Sequence, residues 1–407
     1  MNNDDAKIVT AAAQQPRDSV KFTVQERSAV AVLAGIYTTR MLGFFLLLPV
    51  LSLYASQLPG SSPRMVGMVM GIYALVQAVL QIPFGRWSDR FGRKPVIAIG
   101  LLLFFAGSVV GALTHSLAGV IVARAIQGSG AMAAAVTALL ADQTRDIIRT
   151  RAMAFIGISI GASFVISLIV APSLDALIGV RGIFWIMAVM AVLGLILLHL
   201  GIPAQTLHHE HRMGSATSLW RVTLMPKLRS YFMGIFALHF ILSSTFLAVP
   251  QVLVHRLNIS ESEHWKVYLG VFVVSLFGTY ALIRRVERTH HPKPLIVLAV
   301  ALAAIAQALM AMFNAQLWTL LALFTVFFAC FNFLESSLPT GLSRTAPVAD
   351  RGAALGVFAT LQALASFSGA LLGGQVAARF GYGHVFWLSA FMGLVWAMVA
   401  AGSTIES

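Results

Sequence analysis

Charge is scarce in this chain. Of its 407 residues only 11% are Asp, Glu, Lys or Arg, less than half of the roughly 25% that soluble domains carry. Acid is the scarcer sign, with 15 Asp and Glu against 28 Lys and Arg. A chain that is 58% hydrophobic at that polarity cannot have water as its main solvent. Cysteine is nearly absent. The one thiol, Cys330, lies inside an apolar run, so a disulfide framework within the chain is excluded and a small buried hydrophobe is the expected role. No G-x-x-x-x-G-K-[ST] phosphate loop occurs, which removes energy supply by that nucleotide-binding device. Neither an H-E-x-x-H zinc motif nor a G-x-S-x-G nucleophile elbow is expected, so a membrane-embedded enzyme lacks its chemistry. The first 28 residues are polar and mixed in charge. They read as a cytoplasmic tail rather than a signal peptide.

What is present is a series of long apolar runs. A spanning helix needs about 20 apolar residues. Twelve spans are expected at 30–56, 66–86, 95–114, 117–141, 152–178, 181–201, 230–256, 264–283, 294–314, 316–341, 352–379 and 383–402. Span 1 to span 12 below refer to these in order. The longest internal connection, 202–229, divides them six and six. The organisation is then a tail over 1–28, a six-helix bundle over 29–201, a cytoplasmic connection over 202–229, a second bundle over 230–402 and a short tail over 403–407. His208, His209, Glu210 and His211 crowd that connection. No second ligand cluster with zinc spacing accompanies them, so a solvated linker is expected, with no metal and no cofactor.

The formal charge of +13 would suggest nucleic acid on a soluble protein. Here the bases sit in short connections between apolar runs, which is a topology signal and excludes nucleic acid as the partner. With the N-terminus inside, 21 of the 28 bases fall on the cytoplasmic side, and only Arg64, Arg181, Arg256, Lys266 and Arg379 fall opposite. An even number of spans places the C-terminus inside as well. The two halves also echo each other near an offset of 200 residues. Asp89-Arg90 with Lys94-Pro95 is answered by Glu287-Arg288 with Lys293-Pro294, and Leu48-Pro49 by Val249-Pro250. Such an internal repeat is how many transporters are built.

Between spans 2 and 3 stands Gly85-Arg-Trp-Ser-Asp89-Arg90-Phe-Gly92-Arg93-Lys94. This string resembles motif A of the major facilitator superfamily of transporters. Arg124-Ala-Ile-Gln127-Gly128 in span 4 resembles the family's motif B. The segments Arg40-Met-Leu-Gly43, Gln81-Ile-Pro-Phe-Gly85 and His264-Trp-Lys-Val-Tyr268 are similar to bacterial inner-membrane members near the drug/proton antiporters. Span 5 carries Gly157 and Gly161, but Ala171-Pro172 stands where the antiporter motif ends in Gly-Pro. Some members near this branch carry a soluble domain after span 12, and none is expected here.

The resemblance implies an all-α membrane protein of twelve helices in two pseudo-symmetric bundles, with spans 1, 4, 7 and 10 around a central cavity. Arg40, Arg124, His239 and Glu335 fall on those four spans. An ionisable group inside the bilayer costs about 2.5–3.5 kcal/mol even on a lenient scale and marks function by default. Arg40 is expected to contact an anionic or polar solute. Arg124 and Gln127 take the proton-coupling role that the family associates with motif B. Glu335, the only acid well inside a span, is a candidate proton carrier, with Asn332 one turn earlier on its face. The alternative for Glu335 is a fixed ion pair, with Arg40 as the candidate base. His239 is a second titratable candidate. Gly157, Gly161 and Pro172 are expected to serve helix packing, as small residues do in lipid. Asp89 is expected to pair with the positive end of span 11, with Arg93 bridging it to Asp142 and the whole of Gly85, Asp89, Arg90, Gly92, Arg93 and Lys94 acting as a conformational latch.

The expected function is proton-coupled secondary transport of a small solute across a bacterial inner membrane, by a monomer, with efflux by antiport favoured. A uniporter, a symporter or a sensor on a transporter frame is the alternative.

Overall fold

In the structure, a computed structural model, residues 22–202, 216–289, 291–347 and 350–402 are described. Residues 1–21 of the expected 1–28 tail and the tail over 403–407 lie outside the described residues, and so does the histidine cluster of the 202–229 connection, while 24–28 are the first turn of span 1 rather than tail. Among the described residues there is helix and no strand.

Span 1 is built of Val24–Leu47 and Leu51–Gln57. Span 2 is Pro63–Phe91 and span 3 is Arg93–Leu113. Span 4 is Leu117–Ser129 followed by Ala133–Asp142. Spans 5 and 6 lie within one helical stretch, Asp146–Gly201. Unbroken, its 56 residues would reach roughly 80 Å, far beyond the ~30 Å hydrocarbon core. Gly179, at φ 69° and ψ 167°, breaks it at the expected junction, in a conformation that favours glycine. A short helix, Ala216–Leu224, precedes span 7, Pro226–His255. Spans 8 to 12 are His264–Thr289, Pro292–Phe313, Leu317–Thr345, Arg351–Phe380 and Val385–Gly402. The long stretches are apolar enough to cross a membrane, and twelve crossings result once the Gly179 break is counted.

Helix ends differ from the apolar edges because caps, not lipid, set them. Span 1 starts at Val24 rather than 30 because Thr23 and Glu26 form a reciprocal cap: Glu26 N donates to Thr23 Oγ1 at 3.2 Å and Thr23 N to Glu26 Oε2 at 2.8 Å. Span 2 starts on Ser62 with Pro63 in its first turn.

Two spans of the first half are broken within their length. Span 1 turns at 48–50, where Pro49 has no N–H to give. Span 4 breaks between Ser129 and Ala133. A Cβ on Gly130 would stand 2.4 Å from the Gly100 carbonyl oxygen, so the break lies hard against span 3. Broken helices at membrane depth occur where protein or a cavity covers the backbone.

The halves meet at the end away from the basic connections. Gln251 Nε2 donates to Ser52 O at 2.9 Å, and Gln57 Nε2 to Glu261 Oε1 at 3.0 Å. There span 2 lies on span 11: a Cβ on Gly67 would be 2.4 Å from Ala370 O, and one on Gly374 would be 2.6 Å from Pro63 O. At the basic end the same two spans part. A 370 Å³ cavity there is lined by Ile82 and Arg86 of span 2, Val357, Thr360 and Leu361 of span 11, and Leu219, Trp220 and Thr223 of the short helix. The halves thus touch at the end away from the basic connections, and the cavity lies at the basic end.

Packing corrects one expectation. Gly157 and Gly161 are exposed, and a Cβ at either would meet no atom within 4 Å. The close helix contact expected of them is absent because no other helix covers that face of span 5. Pro172 is buried within its helix.

Candidate functional site

The first half gathers its polar residues around Tyr73. Arg40 Nη2 donates to Tyr73 Oη at 2.8 Å. The Arg124 guanidinium lies over the ring of the same tyrosine, 4.6 Å from its centre, and 5.6 Å from the centre of Phe44. Arg124 Nη1 donates to Gln127 Oε1 at 3.0 Å, Gln127 Nε2 to Ser108 Oγ at 2.9 Å, and Ser108 Oγ to Phe104 O at 2.6 Å. Glycine makes this approach possible. A Cβ on Gly128 would be 2.3 Å from Tyr73 O, and one on Gly107 would be 2.7 Å from Gln127 Cγ. Arg40 and Arg124 are 2% and 3% exposed. A ring face offsets about 0.5–2 kcal/mol of a buried cation's cost, while a buried charge without its counter-ion loses about 3–5 kcal/mol. The rings therefore do not balance two guanidinium groups.

The second half gathers three residues from three helices. His239 Nε2 of span 7 and Glu335 Oε2 of span 10 are 3.0 Å apart. Gln362 Nε2 of span 11 lies 2.7 Å from His239 Nε2 and 3.4 Å from Glu335 Oε1. A ring nitrogen offers one in-plane position, so the acid and the amide compete for it. When Nε2 carries its proton it donates to Glu335. When Glu335 carries the proton, the nitrogen accepts, from the acid or from the amide. The proton's place thus decides how Gln362 stands. Glu335 is 37% exposed against 12% for His239, so the acid is the more accessible member.

The alternative for Glu335, an ion pair with Arg40, is not formed. Each has a partner within its own half, Tyr73 for Arg40 and His239 for Glu335. Asn332 does not join the acid either. Its amide reaches Ser275 Oγ of span 8 at 3.5 Å. Tyr73 and Gln362 were missed by sequence reasoning, which followed ionisable residues on spans 1, 4, 7 and 10. Neutral polar residues of spans 2 and 11 were the available signal.

At the basic end Arg93 binds Asp89, donates to Ser88 Oγ at 2.8 Å and reaches Asp142 Oδ2 at 3.4 Å. Gly92, at φ 95°, supplies the turn that lets Arg93 fold back. Gly85 O accepts from Ser88 Oγ at 2.7 Å. Lys94 Nζ donates to Ile202 O, closing the end of span 6. Arg90 lies over the ring of Phe91. These contacts lie within the first half. Asp350, at the start of span 11, is held by Arg221 of the short helix at 2.5 Å.

The string Gly157-Ile-Ser-Ile-Gly161 does have the spelling of a nucleophile elbow, against expectation. It lies inside the span 5 helix, where Ser159 Oγ donates to Phe155 O at 2.9 Å. A nucleophile elbow needs a strand-to-helix turn, so the spelling carries no chemistry.

Two family-model matches, to residues 33–369 and 232–404, are to the Major Facilitator Superfamily. The inner membrane transport protein YajR of Escherichia coli is 40% identical over 94% of this chain and 84% of its own length. Multidrug resistance protein 1 of Bacillus subtilis is 26% identical over 82% of this chain and 86% of its own. Among solved structures, a D-xylose-proton symporter superposes with a TM-score of 0.71 at 20% identity, over 93% of this chain and 97% of that one. At that identity the likeness is one of fold.

Proposed function

This chain belongs to the major facilitator superfamily, and from that premise we propose that it moves a small solute by alternating access, coupled to protons through Glu335 and His239. It is a multi-pass membrane transporter and not an enzyme. The proposed membrane is the bacterial inner membrane, with both termini cytoplasmic, as the distribution of bases supports. The basic end is then the cytoplasmic end, and the state described is open inward. The units over 29–201 and 230–402 are the proposed moving halves.

The observation that carries the coupling is the cluster of His239, Glu335 and Gln362. One proton can sit on the acid or the imidazole, and the amide of a third helix responds. Moving that proton changes the contacts between spans 7, 10 and 11, which is what a coupled transporter needs. Relatives named for multidrug resistance support efflux by antiport.

The test uses purified protein in sealed proteoliposomes with a pH dye inside and an imposed gradient. A panel of cationic, neutral and anionic solutes is added in turn. The native chain should couple proton movement to at least one of them. Glu335→Gln should lose gradient-driven transport and keep solute exchange. Unchanged gradient-driven transport in that variant removes Glu335 from the mechanism.

A further inference from the structure

Coupling through Glu335 leaves the two buried cations of the first half without a purpose. Among the described residues, the acids of that half lie at its ends: Glu26, Asp89, Asp142 and Asp146 at the basic end and Asp175 at the other. The partners of Arg40 and Arg124 are a hydroxyl, an amide and two ring faces, with no acid among them. The Nε of each guanidinium is buried without a hydrogen-bond partner. Arg40 lines a crevice with Tyr37, Met132, Ala133 and Val136 that is too narrow to hold water. Solvent therefore does not neutralise that charge from this side.

The same crevice opens on the break in span 4. The ten-residue helix Ala133–Asp142 begins there, and no side chain among the described residues caps its first amides. A free helix start favours negative charge. A guanidinium fork matches a two-oxygen anion better than any other partner. An uncapped helix start and a buried guanidinium with no acid partner and an unsatisfied Nε thus meet at one crevice.

We propose that Arg40, Arg124 and the start of the Ala133–Asp142 helix form an anion subsite, and that the transported solute carries an oxyanion, of carboxylate or phosphate type, which seats there. The inference rests on the transport reading and names its substrate class. The crevice must widen to admit the group. Met132, an unbranched and adaptable side chain at the break, is positioned to yield. Phe44 and Tyr73 turn ring faces to Arg124, which suits a flat apolar body beside the charged head.

The test separates binding from transport. The full chain in lipid nanodiscs is titrated with salicylate, with phenyl phosphate and with the neutral salicylamide, and binding is read from the shift in melting temperature. Uptake of the same probes into proteoliposomes is read separately. Salicylate, phenyl phosphate or both should bind, and which of them does identifies the head group. Salicylamide should not. Arg40→Gln and Arg124→Gln should weaken anion binding about thirtyfold or more, while Arg288→Gln, on the exposed end of span 8, should not. Should the glutamine variants fail to fold, Arg40→Lys and Arg124→Lys keep the charge without the fork, and they should still bind the anion more weakly than the native chain. Equal binding of salicylamide, binding of neither anion, or anion binding indifferent to both arginines overturns the subsite. Anion binding without uptake in any direction keeps the subsite and sinks the transport reading. Proton-coupled uptake of neutral or cationic solutes alone does the reverse.

Discussion

Arg145 holds both carboxylate oxygens of Glu26, through Nε at 2.8 Å and Nη2 at 3.1 Å. The pair ties the start of span 1 to the connection between spans 4 and 5. In the second half Arg221 and Asp350 make the matching tie, from the helix before span 7 to the connection between spans 10 and 11. The two ties occupy corresponding places with the signs exchanged. Each braces its own half.

Breaking the first tie should loosen one half only. Glu26 is buried, so Arg145→Ala leaves a carboxylate with fewer donors. A hydrogen bond to a charged group contributes about 1.5–3 kcal/mol. The melting temperature should fall, and the exchanged pair Glu26→Arg with Arg145→Glu should recover part of the loss. Recovery in the double variant, measured against each single one, is the check.

Gln362 offers a sharper probe of coupling than the acid itself. Gln362→Leu removes the amide that competes for His239 Nε2 but keeps both titrating groups. The pH at which transport is half-maximal should move, while the concentration of solute giving half-maximal rate should not. A profile identical to the native one would leave the amide as packing.

Gly128→Ala tests the approach of span 4 to span 2. The added Cβ would lie 2.3 Å from the Tyr73 carbonyl oxygen. Such overpacking costs about 1–3 kcal/mol. It should also lift Arg124 off the Tyr73 ring, so stability and transport should fall together. Gly157→Ala meets open space. It should leave the melting temperature unchanged and slow transport only if span 5 closes on another helix during the cycle. Thermal unfolding and initial rates on the two variants separate these cases.

Asp89→Asn removes the one acid of motif A and keeps Gly85, Arg90, Gly92, Arg93 and Lys94. Topology should survive, since the bases remain. A partner such as a helix end is worth about 0.3–1 kcal/mol, up to ~2 when partly buried. That is enough to shift a balance of states several-fold. The population should move towards the state open at the basic end. Spin-label distances between the basic ends of spans 2 and 11 read this directly, and unchanged distances with normal transport would reduce the motif to a topology anchor.

Much of the architecture is written in long apolar runs, which is why spans 7, 9 and 12 lie close to their expected bounds. Arg40, Arg124, His239 and Glu335 were legible for the same reason, as ionisable groups stand out where lipid excludes them. Their partners were not. Arg40 and Glu335 invite pairing by sign, yet they sit in different halves, and only packing shows that a tyrosine and a histidine stand nearer. Tyr73 and Gln362 are neutral, and neutral polar residues are common enough in spans to give no signal alone. The break at Gly130 goes with its close backbone approach to span 3, which no local pattern encodes. Gly157 and Gly161 show the converse: a small-residue spacing says that a helix can be approached, not that it is.

The interior charges of the two halves are unlike. The wall contributed by spans 1, 2 and 4 holds guanidinium groups, and the wall contributed by spans 7, 10 and 11 holds an acid and an imidazole. On the proposed mechanism a passenger between them would cross an electric field that runs from one half to the other. It would therefore be turned as well as held, head towards one wall and tail towards the other. Molecules of the same size and greasiness but without a lengthwise dipole gain nothing from that alignment. Selectivity of this kind ranks solutes by the direction of their polarity before their shape is read.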